Sequence, residues 1–292
     1  KEDLAGKTTA NETSSNTLTQ QEKADGWKLL FDGKTLDGWN NFKTTTIKPG
    51  WQVKDGQLVC VNPKDAGDLV NAASFGWFEL QLDYNISHAG NSGIIYHVTD
   101  KGDAVWATGP EFQLEDNEKA ADKIRCGWLY GLYQPPVDPA TGKILDATKP
   151  AGEWNHVRLV IAPDKCFHEI NGVRYFEYVF GSEDFKKRVA ASKFGAMKNF
   201  AKFDKGYISP YMVTDAERRA GDPETGLYTE TAITPFYQLV PPLTEAEGEE
   251  EAGPGPVAPS TLTHGHAHAA REPGRRLLRD DRRTLEQRKR TT

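Results

Sequence analysis

Gly109-Pro-Glu-Phe-Gln-Leu-Glu-Asp-Asn117 is written in strict alternation, with Phe112 and Leu114 on one face of a strand and Glu111, Gln113 and Glu115 on the other. The apolar pair calls for a buried back, and the polar row for an outward face. Carboxylates and a carboxamide on rigid backbone, with Tyr96, Trp106, Trp128, Tyr130 and Tyr133 close in sequence, suit a sugar. Hydrogen bonds meet its hydroxyls and ring faces meet its C–H surfaces. A plain solvent-facing strand would carry the same alternation.

Outward from this strand the period-two pattern recurs. Phe78, Leu80, Leu82, Tyr84 and Ile86 alternate with Trp77, Glu79, Gln81, Asp83 and Asn85, and Gly93 to Val98 reads as a further strand. Trp51-Gln-Val-Lys54 and Gln57-Leu-Val-Cys60 flank Asp55-Gly56, a hairpin signal. Trp154 to Ile161 and Cys166 to Ile170 are strands, and Asn171-Gly172 turns into Val173 to Val179 as a second tight hairpin. Residues 134–152, rich in Pro, Asp, Gly and Lys, form a long loop of the kind that serves as a lid or rim. Ser182 caps one short helix over about 182–194, with Phe185, Val189 and Phe194 on its apolar stripe. The fold expected is all-β with that single helix.

Composition agrees. Ten per cent aromatics and seven Trp in 292 residues favour a β-rich, ligand-handling protein, and the net charge of −6 offers no attraction to nucleic acid or anionic membranes. Cys60, Cys126 and Cys166 are too scattered for a metal site or a dense disulfide framework, which leaves three buried thiols as the expectation and one disulfide with a free thiol as the alternative. No run approaches the roughly 20 apolar residues of a transmembrane segment. Residues 1–25 read as a flexible tether, of the kind that follows a leader or a lipid anchor upstream of Lys1. That implies an extracytoplasmic place, in the periplasm or at the surface of a bacterial cell. From about residue 240 the acidic run, the Gly-Pro stretch and the Arg-rich end lack a hydrophobic period and are expected to be disordered.

Leu30-Phe-Asp-Gly-Lys-Thr-Leu-Asp-Gly-Trp39, Ser92-Gly-Ile94, Pro110-Glu-Phe-Gln113, Gly127-Trp-Leu-Tyr130, Gly152-Glu-Trp-Asn155 and Asn171-Gly-Val173, in this order, resemble the 3-keto-disaccharide hydrolase domain family over residues 26–209. The resemblance implies a concanavalin A-like jelly-roll β-sandwich with a ligand groove on its concave face. It breaks at Lys205-Gly-Tyr-Ile-Ser209, where the family continues into a Gln-Asp-His-Gly segment and a last strand with an Arg-Asn pair. Here Pro210-Tyr-Met-Val-Thr214 follows, so residues 210–239 are expected as an atypical segment replacing the closing strand, with an unpaired edge. Translation out of frame would produce such an abrupt change of composition.

The family resemblance implies a glycoside already oxidised to a ketone at C3. A base takes the acidified C2 proton, the group at C1 leaves by elimination, and water adding back gives net hydrolysis. On this reading Glu111 is the base or a metal ligand, His168 an acid or base, and Gln113, Tyr96, Trp128, Tyr130 and Trp154 bind the sugar. Asp116 could join Glu111 around a divalent cation of undetermined identity. Asn155 shares its face with Val157, Leu159 and Ile161 and is expected as a buried structural amide, while His97 and His168 each read either as an acid or base or as a hydrogen-bonded structural residue. The rival readings are a non-catalytic carbohydrate-binding module on the same fold and an impaired gene product.

Overall fold

The computed structural model describes residues 16–119, 123–212 and 231–239. The chain divides into a unit over Lys1–Leu243 and a second over Thr244–Thr292, and the second, with the tail expected to be disordered, lies outside the described residues. The first unit is built from strands β1 (Trp27–Leu29), β2 (Trp39–Asn41), β3 (Trp51–Lys54), β4 (Gln57–Cys60), β5 (Leu69–Asn71), β6 (Phe78–Asn85), β7 (Asn91–Val98), β8 (Glu111–Glu115), β9 (Trp154–Ile161), β10 (Cys166–Ile170), β11 (Val173–Tyr178), β12 (Tyr207–Met212) and β13 (Thr231–Leu239). Its helices are α1 (Gln20–Ala24) and α2 (Glu183–Ala191).

The large sheet runs β11-β10-β9-β6-β13-β4-β3, with β1 also paired to β13. A small sheet, β12-β7-β8, faces it, and β2-β5 forms a separate ribbon. The alternation of β6 becomes alternate burial, with Phe78, Leu80, Leu82 and Tyr84 inside. These meet Val157, Leu159 and Ile161 of β9 and, from the small sheet, Ile94, Tyr96, Phe112 and Leu114 in one core. Burial of each such side chain contributes roughly 1.5–3 kcal/mol, which makes the face-to-face sandwich the stable solution. The architecture is all-β, a concanavalin A-like jelly-roll sandwich.

Both hairpins form as read. Asp55 and Gly56 have φ of 49° and 77°, and Asn171 and Gly172 50° and 79°, the paired positive values of a type I′ turn. Ser182 caps α2 through Oγ, which accepts from the Phe185 amide at 3.2 Å. Cys60, Cys126 and Cys166 are buried free thiols.

The end segments correct three expectations. Residues 20–24, read as tether, are helical: the Thr19 hydroxyl accepts from the Glu22 amide at 3.1 Å while the Glu22 carboxylate accepts from the Thr19 amide at 2.6 Å, a complete capping box. The sandwich therefore carries α1 as well as α2, and Asn16 packs onto the hairpin turn through a 2.8 Å bond to the Gly56 carbonyl. Residues 1–15 lie outside the described residues.

Among the described residues the place of the closing strand is filled, so the unpaired edge expected there does not arise. β13 enters the large sheet between β6 on one side and β4 and β1 on the other. Proline inside a central strand is normally excluded because it removes a ladder donor. Here Pro235 falls in a register shift between Thr234 and Tyr237, where pairing to β6 is already interrupted. Pro210 sits in β12, at the edge of the small sheet, opposite Ile94. Among the described residues no helix is long and apolar enough to cross a membrane.

Candidate functional site

The candidate site is the outer face of the small sheet, which carries Glu111. In β7–β8 the register sets Ile94 opposite Phe112 and Ser92 opposite Leu114 on the core side. On the other side it sets Ile95 opposite Glu111, Gly93 opposite Gln113 and Asn91 opposite Glu115. Part of this outer face is apolar: Ile95 packs with Val70, Val98 and Val105, and the Ser209 hydroxyl donates to the Leu69 carbonyl at 2.6 Å. The polar row occupies the rest.

The free edge of β8 is closed by Gly127–Tyr130. Gln113 donates to the Trp128 carbonyl at 3.0 Å, Tyr130 donates to the Glu111 carbonyl at 2.9 Å, and Leu129 bridges Phe112. Gly127, at φ 82°, also donates to the Gln113 carbonyl at 2.8 Å, so Gly127 and Trp128 together oppose one residue. This is a bulge with glycine in the left-handed position, and it re-aims the residues that follow. With Leu129 on the core side beside Phe112, Tyr130 stands across from Glu111 and Trp128 across from Gln113, on the polar side. Both rings are half-buried.

Glu111 is half-buried, whereas Gln113 and Glu115 are 0% and 1% exposed. The row is therefore open at Glu111 and closed at Glu115, where the sequence pattern called for an outward face throughout. At the closed end Arg125 stands 3.9 Å from Glu115 and donates to the Asn117 carbonyl. Gln113 lies between the two carboxylates: in one amide orientation its nitrogen meets Asn91 Oδ1 and Glu115 Oε2, both at 3.4 Å, and in the other the Ser92 carbonyl at 3.3 Å and Glu111 Oε1 at 3.2 Å. Beyond Tyr130, the Lys193 ammonium lies 4.2 Å from the ring centroid, and Phe194 packs edge-on at 6.3 Å.

Residues 26–210 match the 3-keto-alpha-glucoside-1,2-lyase-like domain. The chain belongs to this family. It is 28% identical over 192 residues to a 3-keto-disaccharide hydrolase of Bacteroides thetaiotaomicron, an alignment that covers 60% of this chain and 66% of that protein, just under two thirds of its length. A crystal structure from Parabacteroides distasonis, of a protein described as a candidate glycosyl hydrolase, superposes with a TM-score of 0.65 at 28% identity, over 77% of this chain and 98% of its own. A second such protein from the same organism aligns at 23% identity with a TM-score of 0.50, over 73% of this chain and 98% of its own, and shares the fold.

Within this member of the 3-keto-alpha-glucoside-1,2-lyase-like family, the face gathers Glu111, Gln113, Trp128 and Tyr130 and leaves other candidates elsewhere. His168 is a correction. It is wholly buried in the sandwich interior, stacked on Phe112 at 4.5 Å between centroids and against Phe176 at 4.8 Å, on the opposite side of β8 from the Glu111 side chain. Burial pushes its imidazole down to about 3, so it stays neutral and cannot serve as an acid or base on an exposed sugar. Its Nδ1 lies 2.9 Å from the Gly127 carbonyl, which makes it the support of the bulge.

Tyr96 also lies in the core, its hydroxyl 2.5 Å from that of Tyr178 across the sandwich. Trp154 is 36% exposed, but it pairs with Asn85 on the outer face of the large sheet, with Asp83, His156, Glu79 and Arg158 along the same face. Two sheets separate it from Glu111.

Asp116 cannot share a cation with Glu111. Its carboxylate accepts from the Ala89 amide at 2.9 Å and the Glu118 amide at 3.1 Å, holding the strand end. Five residue steps of about 3.4 Å each separate Glu111 from Asp116 along the strand and its end, beyond the span of one coordination sphere. Among the described residues no cluster of three or more His, Cys, Asp or Glu is arranged to hold a metal.

Asn155 is the buried amide expected, bonded to the Lys149 amide at 2.7 Å and to Asn171 Nδ2 at 2.8 Å. His97 is a structural residue at a bulge in β7, with φ 54° and Nε2 2.8 Å from the Gly76 carbonyl. Tyr133 turns toward α2, donating to Asp184 at 2.6 Å under the Arg188 guanidinium. The alternation left Gly93, Asn91, Arg125 and Lys193 unassigned. Gly93 carried a signal as a glycine interrupting an otherwise apolar strand, and Lys193-Phe194 carried one as a pair that resembles the larger members of the family.

Proposed function

We propose that this face cleaves glycosides bearing a C3 ketone, with Glu111 as the base that removes the C2 proton. The carrying observation is the placement of a half-buried carboxylate directly across from Tyr130, with the Gln113 amide next along the row. Tyr130 and Trp128 present ring faces to the C–H surface of a pyranose, and Gln113 can hold a hydroxyl and keep Glu111 aimed. Loss of the C2 proton to Glu111 gives an enolate with its charge on the C3 oxygen. Re-formation of that carbonyl expels the C1 substituent, whose oxygen takes a proton, and leaves a C1–C2 double bond; water adding at C1 completes net hydrolysis. A single base suffices, whereas ordinary glycoside hydrolysis needs paired carboxylates about an oxocarbenium ion.

The test is to incubate the full chain with p-nitrophenyl 3-keto-glucoside and with its unoxidised parent, following nitrophenol release. Release from the keto sugar alone, lowered about 10²- to 10⁴-fold by Glu111→Gln, is the expected result. Binding without release would make the domain a carbohydrate-binding module and remove the catalytic reading.

A further inference from the structure

Resting on that reading of the face, we infer that Lys193 is a catalytic residue, the cation that meets the enolate oxygen while Glu111 takes the proton. An elimination of this kind develops a full negative charge on one oxygen, and a site without a donor or cation there forgoes a large part of the available acceleration. Cations flank the polar row at both ends. Arg125 is committed at the closed end, donating to the Asn117 carbonyl and standing 3.9 Å from Glu115, which is itself buried. Lys193 is at the open end. Its side chain is exposed, and its ammonium rests 4.2 Å from the centroid of the Tyr130 ring, with the Phe194 ring at 5.3 Å.

Tyr130 donates its amide to the Glu111 carbonyl and carries the Lys193 ammonium over its ring, so one residue adjoins both the base and the cation. A sugar seated against the Trp128 ring, beside Tyr130, can turn its C2 hydrogen to the carboxylate and the neighbouring C3 oxygen to the ammonium at the Tyr130 ring. The ring face itself favours a cation, so Lys193 is held there before substrate arrives, and part of its ordering cost is met in the free protein. Electrons and protons balance without a cofactor: Glu111 gains the C2 proton, the C3 oxygen carries the charge against the ammonium, and the charge leaves with the C1 oxygen.

The experiment compares wild type, Lys193→Met and Lys193→Arg on p-nitrophenyl 3-keto-glucoside, with thermal midpoints as a control for folding and binding of the unoxidised parent as a measure of ground-state contact. Lys193→Met should lower kcat about 10²- to 10³-fold while KM and parent binding stay within a few-fold, and Lys193→Arg should recover most of the loss. Deuterium exchange at C2 in heavy water should slow in step with kcat, since proton removal is the step the ammonium assists. Unchanged kcat in Lys193→Met, or a loss confined to KM, overturns the assignment while leaving the proposed function standing. A wild type inert toward the keto sugar overturns both.

Discussion

The Glu111 carboxylate lies over Gly93: a Cβ built on residue 93 would come within 2.1 Å of Glu111 Oε1. Gly93 pairs with Gln113, two register positions from the Ile95–Glu111 pair and on the same face, in a strand whose neighbouring residues all carry side chains. The absent side chain is what lets the carboxylate lean across the sheet toward Gln113.

Gly93→Ala should therefore re-aim Glu111 without unfolding the protein, because the obstructing atoms are the far end of a flexible side chain. Turnover of a 3-keto-glucoside should fall about 10- to 100-fold, the scale of a misplacement near 1 Å. In a Glu111→Asp background the shorter side chain escapes the collision, so Gly93→Ala should cost little more. Equal losses in both backgrounds, read from a double-mutant cycle of kcat, would show that Gly93 does not act through Glu111.

The bulge offers a contrast between two glycines. Gly127→Ala would force a side chain into the left-handed region and within 2.5 Å of the Tyr175 ring, whereas Gly172→Ala, also at positive φ, meets nothing within 4 Å. Denaturant titration should give about 2–4 kcal/mol of destabilisation for the first and about 1 kcal/mol for the second. Turnover should drop in the surviving Gly127→Ala protein, because Trp128 and Tyr130 follow the bulge, and be retained in Gly172→Ala.

His168 makes stability depend on acid. Its folded-state value of about 3 is depressed by burial from an unfolded value near 6.5. Above about pH 6.5 both states are neutral and the full stability is present. As pH falls from there toward 3 the unfolded chain binds a proton that the folded chain refuses, and stability drops by up to about 1.4 kcal/mol per pH unit. The pH slope of urea stability should be shallower in His168→Leu than in wild type across this window; identical slopes would contradict the burial of His168.

β13 is paired on both sides at Ile233, to Tyr84 and to Leu58, whereas Pro235 occupies the register shift. Ile233→Pro should cost about 3 kcal/mol or more, since proline in a doubly paired strand loses a donor and crowds the ladder. Loss of the cooperative thermal transition, or a clearly lowered midpoint, is the expected reading. An unchanged midpoint would show that residues 231–239 contribute nothing to the sheet.

The strands were legible because local chemistry and the global fold agree in them. Asp55-Gly56 and Asn171-Gly172 admit few conformations, and the alternation of β6 survives as alternate burial. Parity also placed Phe112, Leu114 and Asn155 inside. Parity does not say what covers a face, so Gln113 and Glu115 were read as outward although neighbouring elements bury them. Nor does it say which sheet a residue belongs to: Trp154 does point out of its strand, but on the far side of the sandwich. His168 needed the bulge between His168 and Glu169 and the stacking on Phe112 to be understood, both long-range facts. The α1 capping box, Thr19-Gln-Gln-Glu22, was present in the sequence and masked by its polar surroundings.

The closure of the β8 edge by Gly127–Tyr130 has a consequence for specificity. Leu129 anchors that short segment to the interior, while Trp128 and Tyr130 meet the outside on either side of it. If Trp128 and Tyr130 hold the sugar as proposed, recognition and folding fall to alternate positions of one tripeptide. On that reading, exchanging the two aromatic side chains should change which sugar is accepted while the leucine keeps the scaffold intact.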